Sequence, residues 1–348
     1  MPDKTKPFLL HATLGGATIF CVAAVAVASA SEPVPDNMKA VVAHEYGGPG
    51  VLKIEDVPVP QPKENELLIR VIASGVNPAD PLILGGKYAK EFGTHLPLIL
   101  GYDAAGVVVN AGANVTSLKI GDRVYAYLLM GGGWAEYAIT NEGEAAIIPK
   151  SLSFTEAAAV PLAALTAWQA FEAAKLTAGQ TVLVHGGSGG VGSFAVQIAK
   201  ARGAQVIATA STANQDLVRQ LGADVGIDYT KTKFEELAHD LDIVIDPVGG
   251  DTLARSYGVV KKGGIIVTLV SRCDPGELEK HQIRGESLAS HPNSHDLTEI
   301  TKLIDAGKIK PVVTEVLPLS EAAKATEQAE THHTRGKLVL QVAEEPKH

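Results

Sequence analysis

The rhythm of apolar and polar positions changes part-way along the chain. In residues 39–149, apolar or alternating runs at 39–44, 66–74, 104–109 and 123–127 are cut by glycine and proline, with Gly47-Gly48-Pro49-Gly50 and Gly112 as turns. That pattern predicts a β-rich segment. Ser153 with Glu156 three residues later makes a capping box ahead of residues 157–160, so a helix starts there and marks a boundary. Residues 181–185 form a β-branched, apolar strand that stops at glycine. Gly187, Gly189 and Gly192 then spell G-x-G-x-x-G, and Val191, Phe194, Ala195, Ile198 and Ala199 recur at the spacing of one helix face.

Gly203 stands where that helix should be capped, and residues 206–208 start another strand. Strand-like runs at 225–228, 241–245 and 264–270 alternate with helix-like runs at 216–221, 234–239 and 252–260. Such alternation predicts an α/β fold with a doubly wound parallel sheet. Residues 272–296 are polar and predict no element. The tail reads as helix 297–306, strand 312–316, helix 321–329 and strand 337–342.

Between a strand and a helix, the glycines point to a dinucleotide site. The first allows the turn, the second lets backbone approach a pyrophosphate, and the third lets helix and strand pack closely. Ser188, Gly190 and Val191 share that turn.

With 348 residues, 46% hydrophobic and 20% charged, the chain can bury a core of about two domains. A net charge of -9 without clustered Lys and Arg excludes nonspecific nucleic-acid binding and leaves small-molecule partners. Two cysteines, Cys21 and Cys273, permit neither a disulfide framework nor a four-cysteine zinc site. Residues 1–30 differ from the rest: Lys4 and Lys6 precede an uncharged run over 8–30 that ends Ala28-Ser29-Ala30. This resembles an export signal, with a membrane anchor and a start-site extension as rivals, and it confines any membrane contact to residues 7–30. Residues 31–37 are then a linker. Export to the periplasm or membrane anchoring is expected, with a cytoplasmic location as the alternative.

Further motifs follow in order: Gly75-Val76-Asn77-Pro78-Ala79-Asp80, Gly101-Tyr102-Asp103-Ala104-Ala105-Gly106, Gly121-Asp122-Arg123-Val124, Leu165-Thr166-Ala167-Trp168, Asp246-Pro247-Val248-Gly249-Gly250 and Gly336-Lys337-Leu338-Val339-Leu340. Together with the glycine turn they resemble the medium-chain dehydrogenase/reductase superfamily, in its zinc-free quinone reductase (zeta-crystallin-like) branch. The resemblance implies a GroES-like catalytic domain over 38–155 and 308–345, with a Rossmann NADP-binding domain over 156–307 inserted. It also implies a homo-oligomer, a dimer. Thr166 and Val248 would line the nicotinamide end, and Leu269 to Ser271 the nearby wall. Asp246 would either touch a ribose or simply end a strand.

In zinc alcohol dehydrogenases of this superfamily a cysteine and a histidine hold the metal; here Asn77 and Tyr102 take those places, so no metal is expected. His281, His291, His295, His332 and His333 read as solvated. Without a Lewis acid an alkoxide has no support, whereas a quinone or α,β-unsaturated carbonyl can receive hydride using its own carbonyl as the sink. The expected reaction is therefore NADPH-dependent reduction of a quinone or enone. Asn77 and Tyr88 are candidate donors to the reacting oxygen, and Asp80 orients them or is a turn residue. Tyr88 alternatively lines the cleft, and Tyr102 fills space.

A strand-end carboxylate would mark NAD, but the position is Ala210. Ser211 and Asn214 can donate to the 2′-phosphate of NADPH, and the resemblance implies the same for Tyr229, which falls where NADPH-using relatives place a tyrosine; Arg219 and Lys231 are close in sequence. Rival readings are a zinc-free alcohol dehydrogenase, an enoyl-thioester reductase and a non-catalytic dinucleotide-binding protein.

Overall fold

The computed structural model describes residues 33–89, 93–331 and 333–345. The export or anchor segment and His332 lie outside the described residues. Among the described residues no helix is long and apolar enough to cross a membrane.

The first part runs β1 (Asn37–Ala43), β2 (Leu52–Pro58), β3 (Glu66–Val76), α1 (Ala79–Leu84), β4 (Leu98–Ile99), β5 (Asp103–Ala111), β6 (Arg123–Tyr127), β7 (Tyr137–Asn141) and β8 (Ala145–Ile147). The β-rich expectation holds. The sequence shows no run for β2 because none of its seven residues is fully buried, so no apolar face repeats. Helix α2 (Phe154–Ala158) starts at the capping box: Ser153 Oγ accepts from the Glu156 N–H, and the Glu156 carboxylate accepts from the Ser153 N–H at 3.0 Å. It ends early because Pro161 has no N–H to give, and α3 (Pro161–Ala174) starts on that proline.

The second part alternates β9 (Thr181–Val184), α4 (Gly190–Ala201), β10 (Gln205–Ala210), α5 (Gln215–Gln220), β11 (Val225–Asp228), β12 (Leu241–Asp246), α6 (Gly250–Ser256), β13 (Val260–Thr268), α7 (Pro275–His281), β14 (Arg284–Ser287) and α8 (Ser294–Asp305). The sheet order is β11-β10-β9-β12-β13-β14, all parallel. Winding reverses between β9 and β12, and a crevice opens beyond their carboxyl ends. The expected helix at 234–239 is only a 3₁₀ turn, Phe234–Glu236, and Val260 opens a strand instead of ending a helix. Residues 272–296 do hold structure. Their edge strand β14 is four residues with none fully buried, which carries no apolar signal.

Finally β15 (Val313–Pro318), α9 (Ala322–Glu330) and β16 (Lys337–Gln341) return to the first part. Strand β16 pairs antiparallel with β3, Leu338 opposite Val76, within the order β15-β16-β3-β5-β6-β8; β7 pairs with β3 as well. The parallel sheet is thus inserted into a β-rich unit made from both sides of the sequence. One apolar cluster joins Phe154 and Leu165 to Val184, Phe194, Ile245 and Leu340. The Tyr125 hydroxyl on β6 crosses to α8, donating to the Leu297 carbonyl at 2.9 Å.

Candidate active site

The glycine turn lies at the crevice. Gly186, at φ +56°, makes the left-handed bend, a role that the sequence gives to Gly187. Gly187 is needed for room instead, since a Cβ there would stand 2.8 Å from the Ala208 Cβ on β10. At Gly192 a Cβ would stand 2.1 Å from the Gly186 carbonyl oxygen, so α4 packs on the turn only through glycine. Gly189 is the N-cap of α4, and no side chain caps the helix. A Cβ at Gly189 would meet only the Gly186 oxygen, at 3.4 Å. The helix start therefore has room at Gly189, while at Gly190 a Cβ would stand 3.1 Å from Lys337 Cδ; a positive helix end of glycines with no side-chain cap fits a pyrophosphate.

Behind the turn, Thr209 accepts the Gly186 N–H on its hydroxyl (3.1 Å) and the Gly187 N–H on its carbonyl (2.8 Å). His185 supports Thr209 from a fully buried position. Ser256 spends its proton on the Thr252 carbonyl, so His185 Nε2 donates to Ser256 Oγ at 2.9 Å and Nδ1 accepts from Thr209 at 3.3 Å. This ring is neutral: burial, aided by the Arg255 charge, pushes its pKa down to about 3.

Next to the turn, with Lys337 Cδ 3.1 Å from where a Cβ on Gly190 would stand, lies a buried polar cluster. Asp103 on β5 accepts the Leu162 N–H at the start of α3 (2.7 Å) and the Asn77 Nδ2–H (2.8 Å), and pairs with the Lys337 ammonium at 3.0 Å. Lys337 Nζ also donates to Asn77 Oδ1 (2.5 Å) and to the Val76 carbonyl (3.0 Å). The Asn77 amide is thus gripped at both ends. Asp80 accepts from the backbone N–H groups of Asn77 (2.7 Å) and Gly101 (3.1 Å), so it orients the loop rather than the Asn77 amide. Burial lifts the Asp80 carboxyl to about 7, against the pull of those N–H groups and of Lys337. The sequence reading names Asp103 and Lys337 only as letters of motifs. The missed signal is a lysine opening the apolar strand Leu338-Val339-Leu340.

A family model described as zinc-binding dehydrogenase matches residues 221–340, and one described as alcohol dehydrogenase GroES-like domain matches residues 63–150. The NADPH-dependent alkenal/one oxidoreductase of Arabidopsis thaliana is 40% identical over 325 residues, covering 90% of this chain and 81% of that protein. The quinone oxidoreductase of Mus musculus is 35% identical over 312 residues, 83% and 93% of the two chains. The solved quinone oxidoreductase of Coxiella burnetii superposes with a TM-score of 0.82 at 36% identity, over 88% of this chain and 99% of that one. The chain belongs to the medium-chain dehydrogenase/reductase superfamily, in its zinc-free quinone and enone reductase branch.

For a member of that superfamily the donor set at the catalytic position does not fit zinc. Asn77 and Tyr102 offer neither thiolate nor imidazole, and among the described residues no three His, Cys, Asp or Glu side chains gather as ligands would. Within this reductase, Thr166 on α3 is buried and bonds Ser290 at 2.8 Å, beside the buried Tyr127. Val248 is exposed and Leu269 half-buried, while Ser271 Oγ would stand 2.6 Å from a Cβ on Gly249. Asp246 is spent on its own turn: it accepts from the Val248 and Gly249 N–H groups and from the Thr268 hydroxyl. Of its two readings, the strand-end role is the one the structure supports.

Beyond β10, Ser211 Oγ accepts from Asn214 Nδ2 at 3.2 Å and keeps its own proton to give. Arg219 pairs with Asp216 and points its charge there (3.2 Å). Tyr229 is exposed, its N–H on the Ala210 carbonyl. The sequence reading overlooked Asp228, whose register partner is Ala210. Hydrogen bonds from the Thr212 and Thr230 hydroxyls hold that carboxyl down to about 2, and Lys231 stands 3.4 Å away. Tyr88 lies past α1, half-buried, with the Lys87 ammonium 5.3 Å from its ring centre.

Proposed function

We propose that this protein reduces the activated double bond of a quinone or an α,β-unsaturated carbonyl at the expense of NADPH. The observation that carries the reading is the opposition of an open glycine turn to a buried Asn77–Asp103–Lys337 cluster that has no metal donor set. The relatives named as alkenal/one and quinone oxidoreductases support it. Quinones and enones share one motif, a carbonyl conjugated to an electron-poor double bond, so one site can serve both. When bound, reduced nicotinamide supplies the hydride. The chain binds the pyrophosphate at the first turn of α4 and holds the Asn77 loop in place through Lys337. Solvent gives the final proton.

NADPH is favoured over NADH because Ala210 brings no carboxylate to the end of β10 and Ser211 retains a donor, while Lys231, 3.4 Å from Asp228, offsets the charge of that carboxylate. Steady-state assays with a benzoquinone, a short enone and a crotonyl thioester test the reaction, and fluorescence titration with NADPH and NADH tests the cofactor. Turnover of the quinone or enone is expected, with tighter NADPH binding. Absence of turnover on both, or oxidation of a simple alcohol at a higher rate, would overturn the reading.

A further inference from the structure

We propose that the Tyr102 hydroxyl donates the hydrogen bond that holds the carbonyl oxygen of the acceptor, which sits in the cavity between Tyr102 and the Leu129–Met130 segment. The proposal rests on the reductase reading above and names the group that such an acceptor meets.

Four observations carry it. Tyr102 is 4% exposed, yet its hydroxyl has no hydrogen-bond partner among the described residues. A buried hydroxyl is ordinarily paired; this one belongs to a residue of the cavity wall and is itself covered, so it marks a place for a polar atom from outside that displaces its cover. Second, Tyr102 lines a cavity of about 320 Å³ whose walls are mostly apolar, Leu98, Ile99, Leu129 and Met130, with Thr94 and His95 as its other polar side chains. Such walls suit a small, largely apolar acceptor with one polar end. Third, Leu129 and Met130 are 50% and 70% exposed at its rim, large apolar side chains left uncovered.

Last, the ring is held still. The Tyr102 carbonyl accepts the Leu128 N–H at 2.8 Å, the Gly101 N–H before it is fixed by Asp80, and a Cβ on Gly131 would lie 3.6 Å from the ring. A donor in a fixed place costs no reorganisation as charge collects on the carbonyl oxygen. The proton stays on Tyr102 throughout, because burial and the Asp80 charge raise the phenol pKa. Asn77, its amide committed to Asp103 and Lys337, is the positioning group beneath.

Tyr102→Phe separates this role from a structural one. It removes one oxygen that no protein group holds, so the thermal midpoint should stay or rise. With the enone, kcat/KM should fall on the order of 100-fold, while the NADPH dissociation constant is unchanged. A kcat/KM within about threefold of the parent protein overturns the proposal. So does loss of soluble protein, since the fold would then depend on the hydroxyl. If the parent protein reduces neither quinone nor enone, the reductase reading fails first and takes the proposal with it. If the parent is active and Tyr102→Phe matches it, the proposal alone is wrong.

Discussion

Replacing Lys337 by methionine removes a cation from a place that water cannot reach. The Lys337 and Asp103 side chains are 4% and 0% exposed and 3.0 Å apart. After the change, Asp103 keeps the Leu162 N–H and the Asn77 amide, but its charge has no counter-ion. Breaking a buried pair in this way costs about 3–5 kcal/mol, because the stranded charge remains desolvated; the near-equal volume of methionine keeps the cavity contribution small. Two acceptors, the Val76 carbonyl and Asn77 Oδ1, also lose their donor. Adding Asp103→Asn removes the stranded charge and leaves an oxygen for the Leu162 N–H. The double variant should therefore be more stable than Lys337→Met alone, by about 1–2 kcal/mol. Urea unfolding at pH 7, followed by tryptophan fluorescence, measures all four proteins of the cycle. A loss under about 1 kcal/mol for Lys337→Met, or losses that simply add, would refute the view that the pair is buried and coupled.

Three other changes probe the cofactor side. Gly192→Ala places a Cβ 2.1 Å from the Gly186 oxygen, so the turn must shift; NADPH binding should weaken more than tenfold, an order-of-magnitude expectation for overpacking at about 1–3 kcal/mol, and titration at parental strength would contradict it. Ser211→Asp sets a second carboxylate near Asp228 and removes the donor, which should weaken NADPH by about 10- to 100-fold and NADH far less; equal effects on both would remove Ser211 from the phosphate site. His185 is neutral in the fold with a pKa near 3, against 6.5 in the unfolded chain, so the unfolded state binds the extra proton. Stability should fall as pH drops below 6.5, by about 2 kcal/mol at pH 5, and that slope should flatten in His185→Gln; an unchanged pH dependence in urea would show His185 is not its source.

Much of the fold is legible in the sequence because buried parallel strands are continuous apolar runs. Thr181–Val184 and Leu241–Asp246 lie where the pattern puts them. The misses share a cause. Strands β2 and β14 sit at sheet edges and have no fully buried residue, so nothing distinguishes them from loop. The helix expected after Ser153 is two helices because the turn at Pro161 is set by one proline, which periodicity does not register. In the site, the glycine spacing located the dinucleotide turn but assigned the bend to the wrong glycine. A positive φ depends on the path of the chain, and Gly186 has the same letter as its neighbour. Asp228 was overlooked because it reaches the end of β10 from the adjacent strand, a relation of register and not of spacing.

The same consideration explains why the tail must come back to β3. Gly336 donates its N–H to the Ser188 carbonyl at 2.8 Å and forms a bridge with Gly189, the residue that opens α4. It does so at φ +62°, where a Cβ would stand 2.2 Å from the Val312 oxygen, so glycine alone fits. The next residue, Lys337, reaches the other way to Val76, Asn77 and Asp103. Gly336 and the first residue of β16, Lys337, thus tie the glycine turn to the Asn77 loop. A shift at either side must pass through a backbone with one allowed conformation and a buried ion pair, both stiff. The spacing of the glycine turn and the Asn77 loop is therefore set by the end of the chain, and a change at Gly336 should disturb both together.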